Sequence, residues 1–140
     1  MNFFKIAALA AVVVSGSAMA VFPQFPSHGP DSTMKVYQQG AGNNVTALQA
    51  DAKDSTVDIK QYGVSNGANV GQGADDSTIT LLQDGFGNNA TIAQWSAEDS
   101  TIDVKQYGGL NGANVNQTAS DSSITLTQAG FNNHANLQQH

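Results

Sequence analysis

Apolar and polar residues alternate along most of this chain in short, evenly spaced bursts. The first clear burst follows Ser32, with Met34 and Val36 at the second and fourth positions, and the same placement returns as Val57/Ile59, Ile79/Leu81, Ile102/Val104 and Ile124/Leu126. All ten residues are apolar and seven are β-branched, while the positions between them are Thr, Lys, Asp or Ser apart from Tyr37 and Leu82. A period of two with β-branched enrichment predicts strands with one face in a core and one in solvent, not helices. After each burst comes a Gly-containing turn at Gly40, Gly63, Gly85, Gly108 or Gly130, and then a second alternating segment. That segment puts Asn, then Ala or Val, then an apolar residue, then Gln on one face, so the pattern predicts paired strands facing each other across a narrow core.

The bursts belong to one frame, S-x5-Q-x-G-x2-N-x-A-x3-Q, present five times: Ser32 to Gln49, Ser55 to Gln72, Ser77 to Gln94, Ser100 to Gln117 and Ser122 to Gln139. Val45 is the one departure, and the steps between successive Ser residues are 23, 22, 23 and 22. Repeats of this length mark a stacked, quasi-one-dimensional architecture. Units two and four resemble each other, as do three and five, so a 45-residue super-repeat overlies the basic one. Stacking in parallel at about 4.8 Å sets each polar residue of the frame over its own copy, where amides can bond along the axis. The columns are Ser32, Ser55, Ser77, Ser100 and Ser122; Gln38, Gln61, Gln83, Gln106 and Gln128; Asn43, Asn66, Asn88, Asn111 and Asn133; and Gln49, Gln72, Gln94, Gln117 and Gln139. An antiparallel meander would leave those inward amides misaligned, at roughly 1–3 kcal/mol for each unsatisfied group. The pattern therefore predicts an all-β, amyloid-forming parallel β-solenoid of five strand-turn-strand rungs, about 24 Å tall.

Composition narrows the partners. The chain has 140 residues, five Lys, no Arg, eleven acids and a net charge of −6, so nothing in it forms a nucleic-acid footprint or a basic membrane-binding helix. Cysteine is absent, which removes disulfides and thiolate chemistry. "MNFFKIAALAAVVVSGSAMA" has an early Lys5, an apolar run and a small-x-small end at Ala18-Met19-Ala20. It reads as a secretory signal peptide over residues 1–20, because the run is shorter than the ~20 residues of a spanning helix. Its removal would leave four Lys against eleven acids, a net charge of −7. Residues 21–31, with Pro23, Pro26 and Pro30, read as a flexible secretion-targeting leader that adds no regular strand.

The repeated frame after such a leader resembles the curlins, specifically the major subunit of the curli amyloid fibres of enteric bacteria, over residues 32–139. The resemblance implies export through the periplasm and across the outer membrane as an unfolded chain. It also implies partners, namely secretion and chaperone machinery and a surface-tethered nucleating subunit, with assembly into an adhesive biofilm-matrix fibre. Curlins of this kind carry a longer Gly-rich leader than "VFPQFPSHGPD". The minor, nucleating curlins are similar in length but less regular and more basic, so five intact Ser positions and an acidic chain favour the major type.

No catalytic constellation is legible and no cofactor is called for. His28, His134 and His140 fall in the leader, on an outward position of the fifth unit and at the terminus, with no base, nucleophile and orienter converging. A rival from another class is an ice- or carbohydrate-binding solenoid presenting the column Thr33, Thr56, Thr78, Thr101 and Ser123. The next outward column, Lys35, Asp58, Thr80, Asp103 and Thr125, interrupts such a face with charge. Trp95 is expected in a connection as an apolar cover, and Tyr37, Tyr62, Tyr107, Phe86 and Phe131 as hydrophobes near the turns. Asp58 with Lys60 and Asp103 with Lys105 are candidate gatekeepers in units two and four, whereas the strands of unit five carry no Asp, Glu or Lys. Every frame Ser follows an acid, giving a column of Asp31, Asp54, Asp76, Asp99 and Asp121. Two readings of it stay open: like charges repelling along the axis, or residues that hold the bend. A stack without capping units is expected to leave both edges available, so that copies of the chain join head to tail in an open, heterologous series.

Overall fold

In the computed structural model, residues 9–15, 19–21, 32–50 and 52–140 are described. They contain no helix and twelve strands: β1 (Leu9–Ser15), β2 (Met19–Val21), β3 (Thr33–Ala41), β4 (Asn44–Gln49), β5 (Thr56–Val64), β6 (Gly67–Asp75), β7 (Thr78–Phe86), β8 (Asn89–Glu98), β9 (Thr101–Gly109), β10 (Gly112–Gln117), β11 (Ser123–Phe131) and β12 (His134–Gln139). Odd strands form one six-stranded sheet in the order β1-β3-β5-β7-β9-β11, and even strands form the other in the order β12-β10-β8-β6-β4-β2. The strand pairs are parallel, and repeat-to-repeat pairing is in register, for example Val57 opposite Ile79 and Ile79 opposite Ile102. The protein is a parallel β-solenoid with five repeat rungs.

The alternation fixes which side of each sheet is dry. Val36, Ile59, Ile79, Leu81, Ile102 and Val104 from the first sheet meet Val45, Val70, Ile92 and Val115 from the second in one continuous buried cluster, with Met34, Leu126 and Leu137 half-buried against it. Ala68, Ala90 and Ala113, the Ala of the repeated frame, sit in the same cluster, where a larger side chain would push the sheets apart.

Two local features differ from the pattern-based expectation. The Gly expected in the turn lies inside the first strand of each rung, and two other residues separate the strands, as Gly42 and Asn43 do between β3 and β4. Pairing runs on through the Gly of each rung because that residue takes φ between +99 and +131° and its backbone stays in register, Gly40 opposite Gly63 and Gly63 opposite Gly85. Trp95 lies inside β8 rather than in a connection, since β8 continues past Gln94 and pairs Trp95 with Gly73. The register shift that follows absorbs the extra residue of a 23-residue step.

The apolar run read as a signal peptide is paired in this uncleaved chain: β1 lies parallel to β3 and β2 parallel to β4. Val21, assigned above to the leader, is the last residue of β2, opposite Thr46. Residues 22–31, which include the rest of the leader and Asp31, lie outside the described residues. No helix among the described residues is long and apolar enough to cross a membrane.

Candidate functional site

The two Gln columns are side-chain amide ladders of one polarity. Gln38 Nε2 donates to Gln61 Oε1 at 2.7 Å, Gln61 to Gln83 at 2.7 Å, Gln83 to Gln106 at 2.8 Å and Gln106 to Gln128 at 2.8 Å. In the facing sheet Gln49 donates to Gln72 at 2.8 Å, Gln72 to Gln94 at 3.0 Å, Gln94 to Gln117 at 2.9 Å and Gln117 to Gln139 at 3.1 Å. Each amide thus passes its N–H toward the next rung in the chain direction. A fully buried Gln is tolerated because its donor and acceptor both meet a copy of themselves.

Asn and Ser bond along the axis through backbone partners instead. Asn43 Oδ1 accepts from the backbone N–H of Asn66 at 2.9 Å, and Asn66, Asn88 and Asn111 do the same for Asn88, Asn111 and Asn133, each at 3.1 Å. The Asn Nδ2 groups reach down to the next rung's Gly carbonyl, as Asn43 does to Gly63 at 3.0 Å and Asn111 to Gly130 at 3.0 Å. Ser32, Ser55, Ser77 and Ser100 accept at Oγ from the backbone N–H of Ser55, Ser77, Ser100 and Ser122. Ser32, Ser55 and Ser100 also donate, to the carbonyls of Ala52, Ala74 and Ala119 in the connections.

Those alanines are part of the site and were missed from the frame. The signal was present: every connection reads A-x-D-S, at Ala52, Ala74, Ala97 and Ala119. The first three are buried, so the connection needs a small residue whose carbonyl points inward. The Asp of the same motif has a defined backbone role: Asp54, Asp76, Asp99 and Asp121 take φ of 51, 50, 50 and 52°, the left-handed region that short polar side chains tolerate best. Asp31 lies outside the described residues.

Charges sit on the outer face of the first sheet. Lys60 Nζ pairs with Asp58 at 2.8 Å, and Lys105 Nζ pairs with Asp103. Hydrogen bonding to Asp103 holds the Lys105 ammonium above its usual pKa, with desolvation acting the other way. Asp103 Oδ1 is buried without a hydrogen-bond partner. The column Thr33, Thr56, Thr78, Thr101 and Ser123 is in register on this face, with Lys35, Asp58, Thr80, Asp103 and Thr125 beside it.

Aromatic side chains fill gaps left by glycine. A Cβ at Gly71 would come within 2.8 Å of the Trp95 ring, so the indole lies flat across rung two. Phe86 of rung three and Phe131 of rung five meet with centroids 5.8 Å apart over Gly109 of rung four. Tyr37 and Tyr62 are 5.4 Å apart, while Tyr107 stays partly exposed. His134 lies against Gly112 on the outer face, and His140 Nδ1 is 3.0 Å from Thr118 Oγ1. Among the described residues no three His, Cys, Asp or Glu are grouped to hold a metal.

Rung five is the exposed end of this arrangement. Strands β11 and β12 are last in their sheets among the described residues, and Ser122, Asn133 and Gln139 are only half-buried where their interior copies are fully buried. The groups that join one rung to the next are therefore presented outward there.

Comparison with known proteins agrees with the repeat. The model of the curlin associated repeat matches residues 29–63, 52–81, 74–108 and 97–140. The chain is 55% identical over 86 residues to proteins named major curlin subunit from Salmonella typhimurium (strain LT2), Salmonella typhi and Salmonella enteritidis. Each of these matches covers 54% of this chain and 57% of the relative, so the chain spans little more than half the length of the curated relatives it matches. The chain belongs to the family of proteins built from the curlin associated repeat.

Proposed function

We propose that this chain is the structural subunit of an extracellular functional amyloid fibre of the curli type. Copies join head to tail, rung five of one against rung one of the next, and the fibre serves adhesion and the biofilm matrix on a bacterial surface. The observation that carries this reading is the identity of the junctions. Each of the four rung-to-rung steps uses the same Gln, Asn and Ser bonds, and rung five presents Gln128, Asn133, Gln139 and Ser122 for a fifth such step. An incoming rung one offers Gln38, Asn43, Gln49 and Ser32 in the matching places. Assembly is templated strand addition with no chemical step, so the protein acts as a building block and not as an enzyme.

The acidic balance and five intact Ser positions favour the major subunit over the nucleating one. Its partners are then copies of itself, a nucleating subunit and the export and chaperone machinery, met after cleavage of residues 1–20 and secretion through the periplasm, with residues 21–31 as the targeting leader. No cofactor enters.

Purified residues 21–140 are expected to form fibres that bind an amyloid dye and give a meridional reflection near ~4.8 Å. A protein that stays monomeric and soluble at high concentration for days would overturn the reading.

A further inference from the structure

Asn precedes Gly twice in the whole sequence, at Asn66-Gly67 of rung two and Asn111-Gly112 of rung four. Both Asn residues belong to the frame, and in the other three rungs the frame Asn is followed by Asn44, Asn89 or His134. The dipeptide matters because a backbone nitrogen can attack the side-chain amide that precedes it. Glycine puts no side chain in the way and lets the backbone reach the required angles, so this reaction is favoured at Asn-Gly. The glycine N–H loses its proton to solvent base, and the nitrogen bonds to Cγ of the asparagine. The bond from Cγ to Nδ2 breaks, Nδ2 leaves as ammonia with a proton from water, and a cyclic imide remains. Water then opens the imide at either carbonyl, leaving aspartate, or an isoaspartate whose backbone runs through the side-chain carbon.

The stack holds every group of that reaction. Asn66 and Asn111 are each 1% exposed. The attacking nitrogens are engaged: Gly67 N–H donates to the Asn88 carbonyl at 2.7 Å, and Gly112 N–H to the Asn133 carbonyl at 2.7 Å. So are the leaving groups, since Asn66 Nδ2 donates to the carbonyls of Tyr62 at 2.8 Å and Gly85 at 3.1 Å, and Asn111 Nδ2 to those of Tyr107 at 2.9 Å and Gly130 at 3.0 Å. Each Oδ1 accepts from the backbone N–H of the next rung's Asn. An amide held at both atoms and a nitrogen whose proton is paired away from water do not meet until the rung opens. The product does not fit the place either. An acid at position 66 has no N–H for the Tyr62 and Gly85 carbonyls and brings a charge into a buried site. Isoaspartate adds a carbon to the backbone, which puts the strand that follows out of register.

We propose that Asn66 and Asn111 are deamidation sites, open in the unfolded chain and closed by the stack, so that a chain left unassembled loses its competence with time. The closure rests on the fold alone, and the loss of competence rests on the head-to-tail reading above. Both sites fall in interior rungs, so a modified chain loses its own stack and not only a joint with the next copy. A chain that folds promptly stays intact, and one held unfolded ages.

The test keeps residues 21–140 unfolded in guanidinium at mildly alkaline pH and, in parallel, assembled without it, and maps modified residues by proteolysis and mass spectrometry. Conversion is expected at positions 66 and 111 of the unfolded chain, faster than at Asn43, Asn88 or Asn133. In the assembled chain it should be at least about tenfold slower, since opening breaks several hydrogen bonds. Once the denaturant is removed, aged chains should add to parent seeds only in proportion to their unmodified fraction. Gly67→Ala with Gly112→Ala should slow conversion in the unfolded chain several-fold and keep aged chains competent. Neither glycine takes a positive φ, and a Cβ there would meet side-chain atoms of Asn89 or His134, so the fold accepts the change. Equal conversion in assembled and unfolded chains would overturn the proposal, as would modified chains that enter fibres as readily as fresh ones, or an alanine variant that ages like its parent. If residues 21–140 fold without forming fibres, slow conversion in the folded monomer would support the closure while the fibre reading falls.

Discussion

Each residue of the frame answers to a separate constraint, and the glycine column shows how tight one of them is. A Cβ on Gly40, Gly63, Gly85 or Gly108 would collide with the carbonyl oxygen of the Gly in the next rung, and the backbone there has φ near +100° or beyond. Gly85→Ala should therefore cost about 1–3 kcal/mol for the backbone conformation and about as much again for overpacking, read as a lower unfolding midpoint in denaturant. Gly130 shares the backbone but not the collision, since the nearest atom to a Cβ there is Asn133 Nδ2 at 3.6 Å. Gly130→Ala should spare the interior contacts and slow fibre growth instead, because the next copy would bring its Gly40 against the new methyl. Equal loss of folding stability in both variants would argue against the stacked joint. Asp54, Asp76, Asp99 and Asp121 pose the complementary case, in which a left-handed conformation is held at an exposed position. Asn adopts that conformation readily and removes the like charges. Changing Asp31, Asp54, Asp76, Asp99 and Asp121 to Asn should keep the fold and speed assembly at low salt, with the advantage fading as salt screens the parent. Equal rates at low salt would leave these residues a bend role alone.

At the scale of the strand, the outward columns of the first sheet are arranged so that charges of one sign are not neighbours from β3 to β11. Asp58 stands between Lys35 and Thr80, Asp103 between Thr80 and Thr125, Lys60 between Tyr37 and Leu82, and Lys105 between Leu82 and Thr127. The 45-residue super-repeat thereby alternates rungs that carry an Asp-Lys pair with rungs that do not. A peptide of one rung cannot alternate, because each copy stacks on itself. Peptides 55–72 and 100–117 would place Asp58 over Asp58 and Lys105 over Lys105, whereas 122–139 has no Asp, Glu or Lys to oppose. The last should fibrillise with the shortest lag at low salt, and added salt should shorten the lag of the other two; equal lags for all three would defeat the gatekeeper role. Asp103 adds a local penalty through its unpartnered Oδ1, held beside an ammonium whose pKa is raised by the same carboxylate. A raised pKa means that this pair contributes below the ordinary Lys value of about 10.4 and that the contribution is lost as pH rises through the higher folded value. These strand-level features were legible because they follow from period and spacing: alternation gave the inward set, and five copies of the frame gave parallel stacking. The reach of the strands was not, since pairing through the Gly column depends on a φ that letters do not state. The Ala of A-x-D-S was overlooked because its role rests on a carbonyl, which every residue has. Trp95 was misplaced because Gly71 and Gly73, the residues that let a ring lie across the neighbouring strand, belong to another rung.

The whole molecule is a polar object, because every Gln ladder bond runs from Nε2 of one rung to Oε1 of the next in chain order. Its two ends are chemically different: rung five carries the amide donors, and rung one carries their acceptors. Interior positions cannot test this, since a change there harms folding and assembly together. Gln128 and Asn133 are better placed, because each bonds inward to rung four and belongs to the last rung of the array. Gln128→Leu with Asn133→Leu would keep similar bulk, strand pairing and the inner cluster, but would withdraw Gln128 Nε2 and Asn133 Oδ1 from the joint. The incoming Gln38 would lose its donor and the backbone N–H of Asn43 its acceptor, at about 1–3 kcal/mol each. Since about 1.4 kcal/mol is a factor of ten, elongation of parent seeds by the variant should slow by roughly tenfold or more. Thr125→Ser with Thr127→Ser, on the outer face of the same strand, should change elongation little. If the outer pair slowed growth more than the inner pair, the facing of β11 would be reversed, because a slip of one residue exchanges the two sides of a strand.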